Sequence, residues 1–264
     1  MTDNNYQKAA KLIDLANQQN TSGHLAKALA NYLKAAHFTP KNPKIYSSVA
    51  VVLTKLEKWD EAILAYKKAL KIDPTYSDAA YDLALLFQSL DRLEESAIYF
   101  SKVTRLYPSH TDAYIGLAQT SSSMGKIDKA IRAYEKVLLL HPTNSEIRQE
   151  VASLCARNGD FKKAGIFYQS ALILTPKDPH ILGNLALVYK KSGSLTLAEK
   201  TLKKAIKSNP TLPHLYYALA VVYREQGKFE KAVVALKKAY KLDPDLKNDY
   251  EQLLRPPQNK TLKN

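Results

Sequence analysis

Seven prolines, Pro40, Pro74, Pro108, Pro142, Pro176, Pro210 and Pro244, follow one another at intervals of 34 residues without a single insertion. A fixed period of that length marks an array of stacked units rather than one globule, because each short unit leaves an apolar face that only a neighbour can cover. Setting each proline at position 32 divides the chain into 9–42, 43–76, 77–110, 111–144, 145–178, 179–212 and 213–246. Residues 1–8 stand in front, where they are expected to extend the first helix by a turn, and 247–264 stand behind.

Other columns keep the same register. Position 8 is alanine in every unit: Ala16, Ala50, Ala84, Ala118, Ala152, Ala186 and Ala220. Position 20 is Ala28, Ala62, Ser96, Ala130, Ala164, Ala198 and Ala232. Antiparallel helices approach closely only where their facing side chains are small, so these columns predict a helix–helix contact inside each unit. Positions 4, 7, 8 and 11 trace one apolar stripe, and positions 20, 24 and 27 trace a second. Gly23, Gly125, Gly159, Gly193 and Gly227 fall at position 15, where a left-handed residue ends the first helix. Glu57 and Asp91 replace glycine there. Asp accepts that backbone and Glu less readily, so a tighter or altered turn is expected in those two units. Position 32 stops the second helix, while Pro43, Pro179 and Pro213 sit where proline best starts the next.

The pattern resembles the tetratricopeptide repeat (TPR) family over almost the whole chain. The second unit carries it most clearly, in Tyr46, Val49, Ala50, Leu53, Ala62, Tyr66, Ala69 and Pro74. Alanine replaces the family's usual glycine at position 8 throughout. The resemblance implies an all-α, right-handed superhelical solenoid of seven antiparallel helix pairs, with the first helices lining a concave groove. Behind it, 247–255 restarts the register with Tyr250, Leu253 and Leu254, which is read as a short capping helix, and 256–264 as a disordered tail.

Composition closes off most enzyme chemistry. Glycine is scarce, 8 of 264 residues, and neither GxxxxGK[ST] nor GxGxxG occurs. One cysteine, Cys155, allows no disulfide framework. It sits at position 11 and is expected to be core, as are most of the tyrosines; Trp59, at position 17, is expected to pack at the start of a second helix. Six histidines form no HExxH or Cys/His cluster, and His180 and His214, both at position 2, offer two zinc ligands without a third. No catalytic residue, metal or cofactor is therefore expected. The opening MTDNNYQKAAK lacks the apolar core of a secretory signal, and no window approaches a membrane span of ~20 apolar residues. A cytoplasmic protein is expected.

The resemblance implies that positions 2, 5, 6, 9, 12 and 13 face the groove. In the third to fifth units those columns hold Asp78, Asp82, Asp112, Glu146 and Glu150 against a single base, Arg157, within a chain of formal charge +14. Tyr81, Gln119 and Gln149 stand among the acids, and Gly116 and Gly183 are read as leaving room for a ligand's backbone. Further on, Asn184, Lys190, Tyr217 and Arg224 make the surface amidic, basic and aromatic. The expected function is a non-enzymatic scaffold or adaptor that binds partner segments in the groove, basic ones at its centre. Family members that clamp the acidic C-terminus of Hsp70 or Hsp90 chaperones use Lys at position 5, which here is never Lys or Arg, so that clamp is absent. Two alternatives stay open. The lysines of the second helices, such as Lys67, Lys68, Lys203 and Lys237, could track nucleic acid or an anionic membrane surface, and the terminal repeats could self-associate.

Overall fold

The computed structural model describes residues 3–246, and every regular element among them is helical. The chain forms two compact units, one ending at Leu140 and the other beginning at His141. The first contains α1 (Asp3–Thr21), α2 (Leu25–Phe38), α3 (Pro43–Lys55), α4 (Trp59–Ile72), α5 (Ser77–Ser89), α6 (Leu93–Leu106), α7 (Thr111–Ser123) and α8 (Ile127–Leu140). The second contains α9 (Ser145–Arg157), α10 (Phe161–Leu174), α11 (Pro179–Lys191), α12 (Leu195–Ser208), α13 (Pro213–Glu225) and α14 (Phe229–Leu242), followed by a 3₁₀ turn, Pro244–Leu246. The expected cap and tail, 247–264, lie outside the described residues.

Consecutive helices pair as antiparallel hairpins, and within each unit the second helix of one hairpin packs on the first helix of the next. First helices also touch one another, α3 with α5, α5 with α7, and α11 with α13. Among the described residues no contact of similar extent joins the second helices, so first helices share a layer within each unit. The alanine columns explain the close pairing. All seven position-8 alanines and Ala28, Ala62, Ala130, Ala164 and Ala198 have no exposed surface, and neither does Ser96. Large side chains fill the space beside them, notably Tyr32, Tyr66, Phe100, Tyr134 and Tyr168 at position 24. Helix starts are specified locally. Asn42 accepts from the Lys44 N–H ahead of Pro43, Asn144 from Ile147, Asp160 from Lys163, and Asp178 from both His180 and Ile181.

Glu57 and Asp91 do not alter the turn. Their φ values of 60° and 56° lie beside those of the five glycines, 71° to 80°. The closing bonds match as well. Lys58 N–H donates to Leu53 C=O at 2.9 Å and Arg92 to Phe87 at 2.9 Å, as Lys126 does to Ser121 at 2.8 Å. One left-handed residue costs about 1–2 kcal/mol, and the motif satisfies carbonyls that the helix end would otherwise leave unpaired, so hairpin geometry overrides residue preference. The position-17 aromatics are less covered than expected: Trp59 is 37% exposed and Phe229 53%. Cys155 is buried in the core.

Candidate functional site

In the first unit the acidic part of the first-helix layer is α5 and α7, whereas α3 carries Lys44 and Lys55 without an acid. Helices α5 and α7 carry Asp78, Asp82 and Asp112 and no Lys or Arg. Asp78 and Asp112 begin their helices and are exposed, where the helix dipole favours them. Asp82, one turn further in, is half-buried, and burial followed by the charge of Asp78 raises its carboxyl pKa. It forms no salt bridge among the described residues. Its field reaches three phenols: burial and then Asp82 push Tyr66 up, Tyr76 is raised by burial, Asp78 and Asp82, and Tyr81 by burial, Asp112 and Asp82. Tyr81 is locked between rings, with its centroid 5.0 Å from His110 and 5.7 Å from Phe100. Gln119 is exposed beside this cluster on α7. The result is three carboxylates, one of them partly desolvated, on a rigid aromatic base. Such an arrangement favours a cation and disfavours an anion.

The two glycines are occupied by the fold itself. A Cβ on Gly116 would lie 2.4 Å from the Phe100 ring, and one on Gly183 would lie 3.0 Å from Leu215. Their open space seats core side chains of neighbouring helices, which corrects the expectation that a ligand's backbone enters there.

In the second unit Glu146 and Glu150 are exposed on α9, and Gln149 is half-buried with its amide 3.4 Å from the Ser145 carbonyl. Between α11 and α13 lies a cavity of about 310 Å³ whose lining includes Asn184, Lys190 and Tyr217. Lys190 Nζ stands 3.3 Å from Glu225 Oε1. Arg224, in the last turn of α13, is half-buried. The sequence reading set aside His180 and His214, yet they line this cavity as a stacked pair, with centroids 5.9 Å apart and planes 19° apart. Burial, and secondarily His180, lowers the His214 pKa. Their shared position 2 on adjacent first helices was the available signal. No cluster of three or more His, Cys, Asp or Glu among the described residues could hold a metal ion.

Three lysines on or next to the second helices make local contacts. Lys68 lies 4.2 Å over the Tyr46 ring, Lys203 and Lys228 flank Tyr223, and both pair with Glu199. No described helix is long and apolar enough to cross a membrane.

Two family models for the tetratricopeptide repeat match residues 52–91 and 77–110, and a third, the middle TPR-like domain of cilia and flagella-associated protein 70, matches 114–244. The chain is a tetratricopeptide repeat protein. Solved TPR structures share its fold. The C-terminal part of a TPR repeat-containing protein from Cytophaga hutchinsonii superposes with a TM-score of 0.75 at 19% identity, covering 92% of this chain and 100% of that one. YrrB, a TPR protein with an unusual peptide-binding site, gives 0.56 at 22%, covering 69% and 93%. The Naa15/Naa10 complex bound to HypK-THB gives 0.70 at 16%, covering 93% of this TPR chain and 38% of that one. No curated protein matches. Identities this low establish the fold alone.

Proposed function

We propose that this TPR protein is a non-enzymatic adaptor that binds partner-protein segments on the first-helix faces of its units. A Lys- or Arg-bearing segment occupies the face of Asp78, Tyr81, Asp82, Asp112 and Gln119, with Glu146, Gln149 and Glu150 serving the same role on the second unit. The observation that carries this reading is Asp82, half-buried one turn from Asp78 with no salt bridge among the described residues, in a chain with 39 Lys+Arg against 25 Asp+Glu. A carboxylate held where its own ionisation is disfavoured weakens the fold, and an incoming cation relieves that cost. YrrB, a TPR protein with a peptide-binding site, and the Naa15 assembly are relatives in fold that support an interaction role.

The test replaces Asp78, Asp82 and Asp112 together with Asn and measures recovery of partners from lysate, along with thermal stability. At about 0.5 kcal/mol for each of the three charges, affinity for partners with basic segments, and with it their recovery, falls about tenfold. Stability changes little, because relief of the half-buried Asp82 charge offsets the helix-dipole contribution lost with Asp78 and Asp112. Unchanged recovery from a folded variant overturns the assignment of this face.

A further inference from the structure

We propose that the hollow between α11 and α13 is a socket for one apolar, preferably aromatic, side chain of an acidic peptide segment. The proposal rests on the peptide-binding reading above and names a second ligand class for it, opposite in charge to the first.

Shape sets the size of the occupant. About 310 Å³ is at the lower end for a binding cavity and gives room for one large side chain. The walls are apolar. Leu187 stands 45% exposed at the mouth, and Leu215 seats deeply because Gly183 has no Cβ to obstruct it. The rim is aromatic and amidic. His180 and His214 present a stacked pair of imidazoles, and burial with the neighbouring ring keeps His214 toward its neutral form. The exposed face of this imidazole stack suits another ring, which is the reason for an aromatic anchor. Asn184 offers an exposed amide beside them for the backbone of an extended chain.

Charge sets the flanks of the occupant. Helix α11 carries Lys190 and Lys191 without an acid, and α13 carries Arg224 against Glu225. Lys190 lines the cavity itself, paired at 3.3 Å to the half-exposed Glu225. A peptide carboxylate can share or replace that partner, whereas a peptide cation meets an excess of like charge. Complementarity of this kind selects among partners and fixes their orientation.

The experiment follows the imidazole resonances of His180 and His214, together with the backbone amides of α5 and α7, in the isotopically labelled full chain. The probes are four: Ac-Gly-Glu-Phe-Glu-Gly-NH2, the same peptide with Ala for Phe, the same with Lys for both Glu, and a ten-nucleotide oligouridylate. Saturable shifts of both histidines are expected with the first probe, at an affinity about tenfold above the other three. Leu187→Arg blocks the mouth and abolishes the shifts; Lys190→Glu, which breaks the pair with Glu225 and reverses the charge at the cavity, removes the preference for the acidic peptide. Equal response to the lysine peptide, or a stronger response to the oligouridylate, overturns the proposal. Histidines unmoved while α5 and α7 respond to the lysine peptide sink this socket and leave the wider reading standing. Silence everywhere sinks both.

Discussion

Glu57 holds a backbone geometry that any β-carbon resists, and nothing in its surroundings demands glutamate. Its φ of 60° matches the glycines at the same place in five other hairpins, and a Cβ at those glycines meets nothing within 4 Å. The cost is thus one of backbone conformation rather than packing. Glu57→Gly is expected to stabilise the protein by about 0.5–1 kcal/mol, net of glycine's greater unfolded-state freedom, and chemical denaturation will measure it. Gly116 runs the other way. The sequence shows a glycine on a first helix, but only packing reveals that the Phe100 ring fills the place of its missing side chain. A glycine required by φ recurs at a fixed place in the repeat and can be read. One required by a neighbour's ring cannot, because that neighbour lies on another helix at a separation the sequence does not announce.

Among the elements, Glu199 joins two helices. From α12 it pairs with Lys203 one turn on, at 2.6 Å, and with Lys228 at the start of α14, at 2.9 Å. Bonds from those two ammonium groups pull its carboxyl down from 4.5 to about 2. A depressed carboxyl contributes stability that is complete above its unfolded value near 4.5 and is lost as pH falls toward 2. Glu199→Gln is expected to destabilise by about 1 kcal/mol at pH 7, a figure discounted because both lysines are well exposed, and to match the parent protein by pH 2–3. Thermal melts across that range will decide it; a constant difference would mean the charge is not the cause. The hairpins themselves were legible from small-residue columns and position-32 prolines. This cross-helix bridge was not, since Lys203 looks like a member of an outward-facing run and Lys228 stands in the turn before another helix.

At the scale of the whole molecule, the formal charge of +14 invites a nucleic-acid reading. Two of the second-helix lysines are engaged locally, Lys68 by the Tyr46 ring and Lys203 by Tyr223 and Glu199. A 740 Å³ hollow on α13 and α14, rimmed by Lys231, Lys237, Lys238 and Lys241, is the feature that keeps the alternative in view. Binding of a twenty-nucleotide oligouridylate is expected to be weaker than about 1 μM near 0.15 M salt and to vanish by about 0.3 M, as for non-specific attraction. Tight binding that survives salt would displace the adaptor reading. The sequence by itself determined the hairpin register and the places of its turns, because a 34-residue period of small, apolar, glycine and proline positions leaves each hairpin one way to bury its stripes and close its turn. Only tertiary structure decided what the inner surface offers. Burying Asp82, stacking His180 on His214 and opening a cavity beside Lys190 each depend on side chains from adjacent hairpins meeting in space. Repeat registers specify which face a residue occupies, but desolvation and ring contact arise between elements, and those set the chemistry.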